Sequence, residues 1–283
     1  FVLTVATTLY AGTWWYNIDL AENPLGIVHA WPFTAAVLGV LATHELGHYV
    51  MSRYHGVNAS LPYFIPVPPP IGTMGAIIRM RGRIPSRKAL FDIGVAGPLA
   101  GLVATVVVTI IGLSLGPITV PEPATASSAG TIKFNDPLLL ELLADLIGQP
   151  TEYAEDPTKA VNPVVFGGWV GMFVTFLNLI PVGQLDGGHI LRATLGQRQE
   201  TVAAAVPGVL FAMAAGLYFL TDYTQAMILW SIWGVISLFM VRAGPATPLR
   251  DEPIGTWRWG LAMLTFALGA LCFLPVPVEI IPA

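Results

Sequence analysis

Long apolar stretches limit what this chain can fold into. Hydropathy places them at residues 29–53, 89–115, 163–181, 201–220, 226–242 and 257–275. Each is close to or above the roughly 17 residues that a membrane-spanning helix needs. Only 11% of the residues are charged, against about 25% in soluble domains. Residues 1–16 are a seventh candidate, and they lack the basic start and cleavage site of a signal peptide.

The basic residues are segregated along the chain. If the spans alternate in direction, eleven of the 13 lysines and arginines lie in connections on one side of the membrane. The stretch 116–162 then lies on the other side. Because basic connections are retained in the cytoplasm, the basic side is predicted to be cytoplasmic and the stretch 116–162 external.

Two connections carry signals for short elements. The proline-rich stretch 62–70 cannot form a regular helix. The glycine-rich segment 72–84, with its alternation Ile78-Arg79-Met80-Arg81, predicts one or two short strands. A basic loop that touches lipid headgroups is the alternative for these arginines. On the external side, a proline and a later glycine bracket residues 138–147, which predicts a short amphipathic helix.

These elements together predict the fold class. We expect an all-α polytopic membrane protein with six or seven transmembrane helices, a short membrane-associated β-hairpin and a short external amphipathic helix. Because no remaining connection could hold a soluble domain of ordinary size, we expect a single domain over residues 1–283.

The first apolar span contains the sequence His44-Glu45-Leu46-Gly47-His48. Positions i and i+4 share one face of a helix, so His44 and His48 can bind one metal ion while Glu45 lies beside it. A zinc ion held this way lowers the pKa of a bound water to about 7, and Glu45 can take its proton. Ionisable side chains at membrane depth are costly and usually functional.

The fourth span offers a third ligand. Pro181 and Gly183 are expected to break the helix near its cytoplasmic end, and the freed backbone is tolerable in a membrane only if it lines a cavity. Asp186 would then point into that cavity and complete a His-His-Asp set. The lone Cys272 excludes a zinc site built from several cysteines.

Other polar residues near these segments have two interpretations each. The amide of Asn178 can hold the carbonyl oxygen of a scissile bond, or it can form an interhelical hydrogen bond. His189 is expected to support a ligand or lie at headgroup level rather than bind metal. Asp92 is expected to cap its helix or pair with Arg87 or Lys88 rather than bind metal.

The third span begins with small residues at positions 94, 97 and 101, which lie along one side of a helix. Small residues in this arrangement let another backbone approach closely. We therefore expect these glycines to serve helix packing.

The motifs together resemble a known family. HELGH in an early span, NxxPxxxLDGGH at the end of a later one and a glycine-rich hairpin between them are similar to the site-2 protease family of intramembrane zinc metalloproteases. The segment 63–101 is most similar to the branch with archaeal, cyanobacterial and plastid members. The resemblance covers approximately residues 29–200, and the spans at 201–275 match only as hydrophobic segments.

The resemblance implies a function and roles for the residues. His44, His48 and Asp186 would bind one Zn²⁺, Glu45 would be the general base, and Asn178 would help position the substrate or oxyanion. The expected substrate is a single-span membrane protein, cut within or near the bilayer. We expect a multi-pass protein of the cell membrane with its active site towards the cytoplasm, and no nucleic acid partner.

Substrate binding adds one hypothesis of our own. A helix must unwind before it is cut, and its freed backbone needs new partners in lipid. An exposed strand within residues 75–81 could supply them by strand addition.

Three other functions compete with this one. A zinc or other divalent metal transporter needs ligands along a path through the bilayer, whereas the proposed ligands converge at one depth. A protease that trims prenylated proteins would need a downstream glutamate as third ligand, for which Glu200 is the candidate. An inactive protease-like chaperone is the third, although the catalytic set is complete.

Overall fold

A computed structural model of the protein describes residues 1–120, 131–153, 156, 158–221 and 223–281, and these segments are mainly helical. Their α-helices are α1 (Val2–Trp15), α2 (Trp31–Tyr54), α3 (Arg87–Ser114), α4 (Leu138–Ile147), α5 (Pro163–Asn178), α6 (Asp186–Leu195), α7 (Gln199–Leu220), α8 (Thr224–Ala243) and α9 (Thr256–Leu271). Their strands are β1 (Asn58–Ala59), β2 (Tyr63–Pro66), β3 (Thr73–Ile77), β4 (Met80–Arg81), β5 (Ile118–Thr119), β6 (Thr131–Phe134), β7 (Lys159–Ala160) and β8 (Val278–Ile281).

The apolar helices identify a membrane protein. Within the described residues, four helical segments are long and apolar enough to cross a bilayer: Pro24–Tyr54, Arg87–Ser114, Asp186–Leu220 and Thr224–Ala243. The helix α5 is apolar but shorter. All six predicted spans contain a helix, whereas the count of six or seven crossings stays a prediction.

The helices α2, α3 and α5 pack together as the centre of the molecule. Glycines bring their backbones close, because a Cβ at Gly167 would overlap Ala36 and one at Gly112 would lie 2.6 Å from the backbone nitrogen of Val165. Small residues at helix contacts are the usual basis of association in membranes, where hydrophobic burial between helices contributes little.

An aromatic cluster fills one end of this centre. The rings of Trp15, Phe33, Phe134, Phe166 and Trp169 pack in stacked and edge-on pairs, with the Trp15 and Phe166 centroids 3.9 Å apart. These residues lie at the end of α1, in the first turn of α2, at the end of β6 and in the first half of α5. The HELGH segment, in the second half of α2, therefore lies towards the opposite end.

Two small antiparallel sheets connect α2 to α3. The strand β2 pairs with β3, with Tyr63 opposite Ile77, and β1 pairs with β4. The segment 72–84, in which the sequence predicts one or two short strands, thus contains two, β3 and β4. The hydroxyl of Thr7 in α1 donates a hydrogen bond to the Gly72 carbonyl at 2.7 Å, which ties this hairpin to the first helix.

The predicted helix after residue 135 is present as α4 and ends at Gly148, whose φ of 71° lies in the left-handed region. Its start differs from the usual capped form, because Pro137 is the N-cap residue and no side chain caps the helix. The external location of α4 stays a prediction.

Candidate metal centre

The helix α2 presents both histidines of the HELGH segment on one buried face. It runs without interruption through this segment, so His44 and His48 lie one turn apart. Their Nε2 atoms are 3.2 Å apart, and the residues are only 3% and 7% exposed. Two imidazole nitrogens therefore converge on one point inside the protein.

Asp186 reaches the same point from α6. Its Oδ2 lies 3.2 Å from His44 Nε2, and its Oδ1 lies 3.2 Å from His48 Nε2. One ligand atom from each of the three residues lies within 4.8 Å of the others. The structure thus brings together the three side chains that the sequence predicts as ligands.

Glycines allow the beginning of α6 to enter this position. The helix α5 ends at Asn178, and residues 179–185 form the predicted break, with Gly183 at a φ of 53°. A Cβ at Gly187 would overlap the Leu179 carbonyl, and one at Gly188 would lie 2.8 Å from the Val182 oxygen. The two glycines after Asp186 therefore let α6 begin directly against the preceding loop.

The other end of α6 is held by Arg87, at the start of α3. Its Nε donates to the Ala193 carbonyl at 2.9 Å, and its Nη2 donates to the Thr194 carbonyl at 2.7 Å. These carbonyls belong to the last turn, where a cation is favourable. The short helix that carries Asp186 is consequently fixed at both ends.

The donor set fits a metal cation. His48 Nδ1 lies 2.8 Å from the Ile93 carbonyl, which can only accept, so Nδ1 carries the proton and Nε2 offers a lone pair. That lone pair faces another imidazole and a carboxylate whose buried Oδ2 has no well-formed hydrogen bond. Three electron-rich groups at one buried point suit a metal cation, and two imidazoles with one carboxylate are a set that zinc accepts.

Two glycines of α3 make room for the histidine rings. A Cβ at Gly97 would fall inside the His48 imidazole, and one at Gly101 would lie 2.9 Å from His44 Nδ1. The sequence pattern indicated a packing role for these glycines. Their specific partners were missed, because spacing along α3 does not reveal which side chains of α2 face it.

Glu45 lines a cavity of about 220 Å³ beside the three candidate ligands. The residue is 8% exposed. Residues 76–78, at the end of β3, line the same cavity. Glu45, whose carboxylate can take a proton, therefore shares one small cavity with the candidate metal position. The end of a short strand lines the same cavity.

Asn178, the last residue of α5, also lines this cavity. Its Nδ2 lies 3.3 Å from His44 Nε2. The interhelical contact is thus present, and the amide lies near the atoms that a scissile peptide would approach. Both predicted roles are compatible with this position.

Asp92 makes a different ion pair from the one predicted. Its carboxylate accepts 2.8 Å hydrogen bonds from Nε and Nη2 of Arg258 in α9, and it lies 3.0 Å from His55 Nε2. Neither Arg87 nor Lys88 is its partner. Arg258, 166 positions away in the sequence, replaces them, and His55 belongs to the same network.

The remaining candidates lie outside the ligand group. His189 lines the cavity and is 7% exposed, but it is not one of the converging ligands. His29 and Glu200 are exposed. As the third ligand, Asp186 is therefore favoured over Glu200 by the geometry.

Comparison with known proteins gives a consistent set of relatives. The protein named probable zinc metalloprotease EGY1, chloroplastic, from Arabidopsis thaliana is 33% identical over 250 residues, which cover 87% of this chain and 43% of the relative. Its namesake from Oryza sativa subsp. japonica is 32% identical, covering 87% of this chain and 41% of the relative. Probable zinc metalloprotease EGY2, chloroplastic, from Oryza sativa subsp. indica is 31% identical, covering 94% and 45%.

The chain spans less than half the length of these curated relatives. No solved structure matches it. The sequence profile of peptidase family M50 matches residues 32–220, which include α2, α3, α5, α6 and α7 and all of the candidate ligands. This agrees with the resemblance to site-2 proteases and to their plastid branch, and the chain therefore belongs to peptidase family M50.

Proposed function

We propose that this chain is a zinc-dependent intramembrane endopeptidase that hydrolyses a peptide bond in or near a transmembrane helix of another membrane protein. The observation that carries the proposal is the convergence of His44, His48 and Asp186 beside Glu45 in a buried cavity. Membership of peptidase family M50 and the names of the zinc metalloprotease relatives support it.

In the proposed mechanism, His44, His48 and Asp186 would hold one zinc ion. Zinc bound there would supply Lewis acidity towards the peptide carbonyl and the attacking water. Glu45 accepts the proton of the attacking water and can pass it to the leaving amine. The amide of Asn178 donates a hydrogen bond to the carbonyl oxygen as negative charge develops there.

We assign a single-span membrane protein as the substrate. A peptide bond inside a helix is shielded by the helix's own hydrogen bonds, so the cut segment must first unwind. The end of β3 at residues 76–78 lines the cavity and is suited to pair with an extended segment through its main chain. This pairing holds the unwound segment beside Glu45.

The proposal includes a topology of six or seven spans in a multi-pass protein of the cell membrane. The shorter helices α5 and α9, and α1 as the seventh, would cross the bilayer together with the four long segments. The segregation of eleven basic residues supports a cytoplasmic position for the site, because basic connections stay on that side. We assign residues 1–283 to one domain, with a family-like core at about 29–200 and additional spans at 201–275.

The test is cleavage by purified protein reconstituted in liposomes with candidate single-span substrates, followed by mass spectrometry of the fragments. We expect one cut in or near the span, which a zinc chelator abolishes and added zinc restores. Glu45→Gln should lower cleavage at least about 100-fold, because it removes the general base, and it should still bind one zinc ion per chain.

The controls separate a protease from a transporter. His29→Ala, which changes an exposed histidine outside the ligand group, should cleave like the wild type. Asp186→Ala should lose both zinc and cleavage. Zinc flux into the liposomes without any fragment would contradict the proposal and favour transport, an alternative that the relatives' names do not support.

A further inference from the structure

One more imidazole faces the cavity that holds the candidate metal ligands. His189 lies three residues after Asp186 on α6, and it lines the same space as Glu45 and Asn178. The residue is 7% exposed. Its Nδ1 is buried and has no hydrogen-bond partner among the described residues.

An unpartnered buried nitrogen is unfavourable in either tautomer. If Nδ1 carries the proton, a donor is unmet, and if it does not, an acceptor is unmet. Buried polar groups almost always find a partner, and the exceptions occur where a bound molecule supplies one. Because the same residue lines the cavity, its ring has hydrogen-bonding capacity that no described residue uses.

Packing holds the ring at this position. The His189 Cβ would lie 3.2 Å from a Cβ built at Gly94, so α6 approaches α3 closely at this level. The next residue, Ile190, is completely buried in the apolar cluster with Leu90 and Phe91. His189 is thus held in a closely packed part of the structure, and its position relative to the headgroups stays a prediction.

We propose that His189 forms a hydrogen bond with the main chain of the bound substrate next to the scissile peptide. The inference rests on the proposed function. A peptide backbone carries one donor and one acceptor per residue, so it can satisfy the imidazole in either tautomer. The end of β3 lines the same cavity, which gives an extended segment main-chain partners from the hairpin and a side-chain partner from α6.

The test compares two substitutions at this position in the reconstituted full chain. His189→Leu keeps the side-chain bulk but removes both nitrogens, and it should lower kcat/KM about tenfold, mainly through a higher KM, as expected for one lost hydrogen bond. His189→Asn restores a polar group and should stay within about threefold of the wild type. Both variants should bind one zinc ion per chain and unfold at the wild-type temperature, and His29→Ala is the matched control.

Three outcomes would overturn the inference. Wild-type kcat/KM in His189→Leu means that the imidazole makes no substrate contact. Loss of zinc in that variant means that His189 supports a metal ligand instead. Equal losses in the Leu and Asn variants mean that shape rather than hydrogen bonding matters. If the wild type itself shows no chelator-sensitive cleavage, the proposed function fails, whereas equal cleavage by wild type and His189→Leu defeats this inference alone.

Discussion

Gly97 determines how closely α3 can approach the metal-binding face of α2. Any Cβ at this position would overlap the His48 ring, so alanine must displace either the imidazole or the helix. One turn earlier on α3, the Ile93 carbonyl accepts a hydrogen bond from Nδ1 of the same ring. A single added methyl group therefore acts directly on the position of a proposed ligand.

We predict that Gly97→Ala reduces both zinc content and cleavage. Overpacking a well-filled interior costs about 1–3 kcal/mol, and here the displaced group is a proposed ligand. The measurement is zinc per chain after dialysis against buffered zinc, together with kcat/KM. Gly39→Ala on α2 is the control: no atom lies within 4 Å of its new methyl group, so it should keep zinc and gain up to about 1 kcal/mol in helix stability. Normal zinc binding by Gly97→Ala would show that the ring can move freely.

At the residue scale, the sequence predicts the groups proposed to carry the chemistry better than the groups that hold them in place. The sequence could predict His44, Glu45, His48 and Asp186, because their spacing and their position in apolar segments are unusual. The sequence could not predict that the Ile93 carbonyl binds His48, because every residue has a backbone carbonyl. The pairing of Asp92 with Arg258 was missed for a similar reason, since nearby Arg87 and Lys88 offer the same charge.

The helix α6 shows where element prediction fails. Its second and third residues are Gly187 and Gly188, and each glycine in a helix interior costs about 1 kcal/mol relative to alanine. Local propensity therefore argues against a helix here. The close fit of these glycines against the Leu179 and Val182 carbonyls and the clamp by Arg87 at the far end favour one. Such contacts depend on the tertiary fold, which the pattern of apolar residues does not contain.

The strand β3 allows a test of strand addition. We predict that Ile77→Pro lowers cleavage roughly tenfold, because proline cannot donate a main-chain hydrogen bond and each lost bond is worth about 0.5–1.5 kcal/mol. Zinc content should stay at one ion per chain, because Ile77 is not a ligand. The measurement pairs fragment quantification with metal analysis.

The matched control for this substitution is Ile77→Ala, which shortens the 55% exposed side chain but keeps the backbone N–H. It should retain most of the activity. If the proline and alanine variants cleave equally well, the hairpin has no part in holding the substrate's main chain.

For the whole molecule, the prediction concerns which connections share a side of the membrane. With Cys272 replaced by alanine, a single cysteine at Arg83 or at Leu146 should react with an impermeant maleimide from opposite sides of sealed, oriented vesicles. Both positions are exposed. Labelling of both from one side would contradict the alternating topology.

The structure has a helix in every span that the sequence predicts. The sequence could not fix the number of membrane crossings, because α5 is shorter than the apolar stretch that contains it.

The order of the elements along the chain also has a consequence for synthesis. His44 and Asn178 touch each other although 134 residues separate them, and Asp186 comes later still. A nascent chain that has inserted only its first helices holds two imidazoles without their carboxylate. On the proposed assignment, synthesis must therefore pass α6 before the three side chains can meet, and a chain that terminates before Asp186 cannot assemble the metal centre.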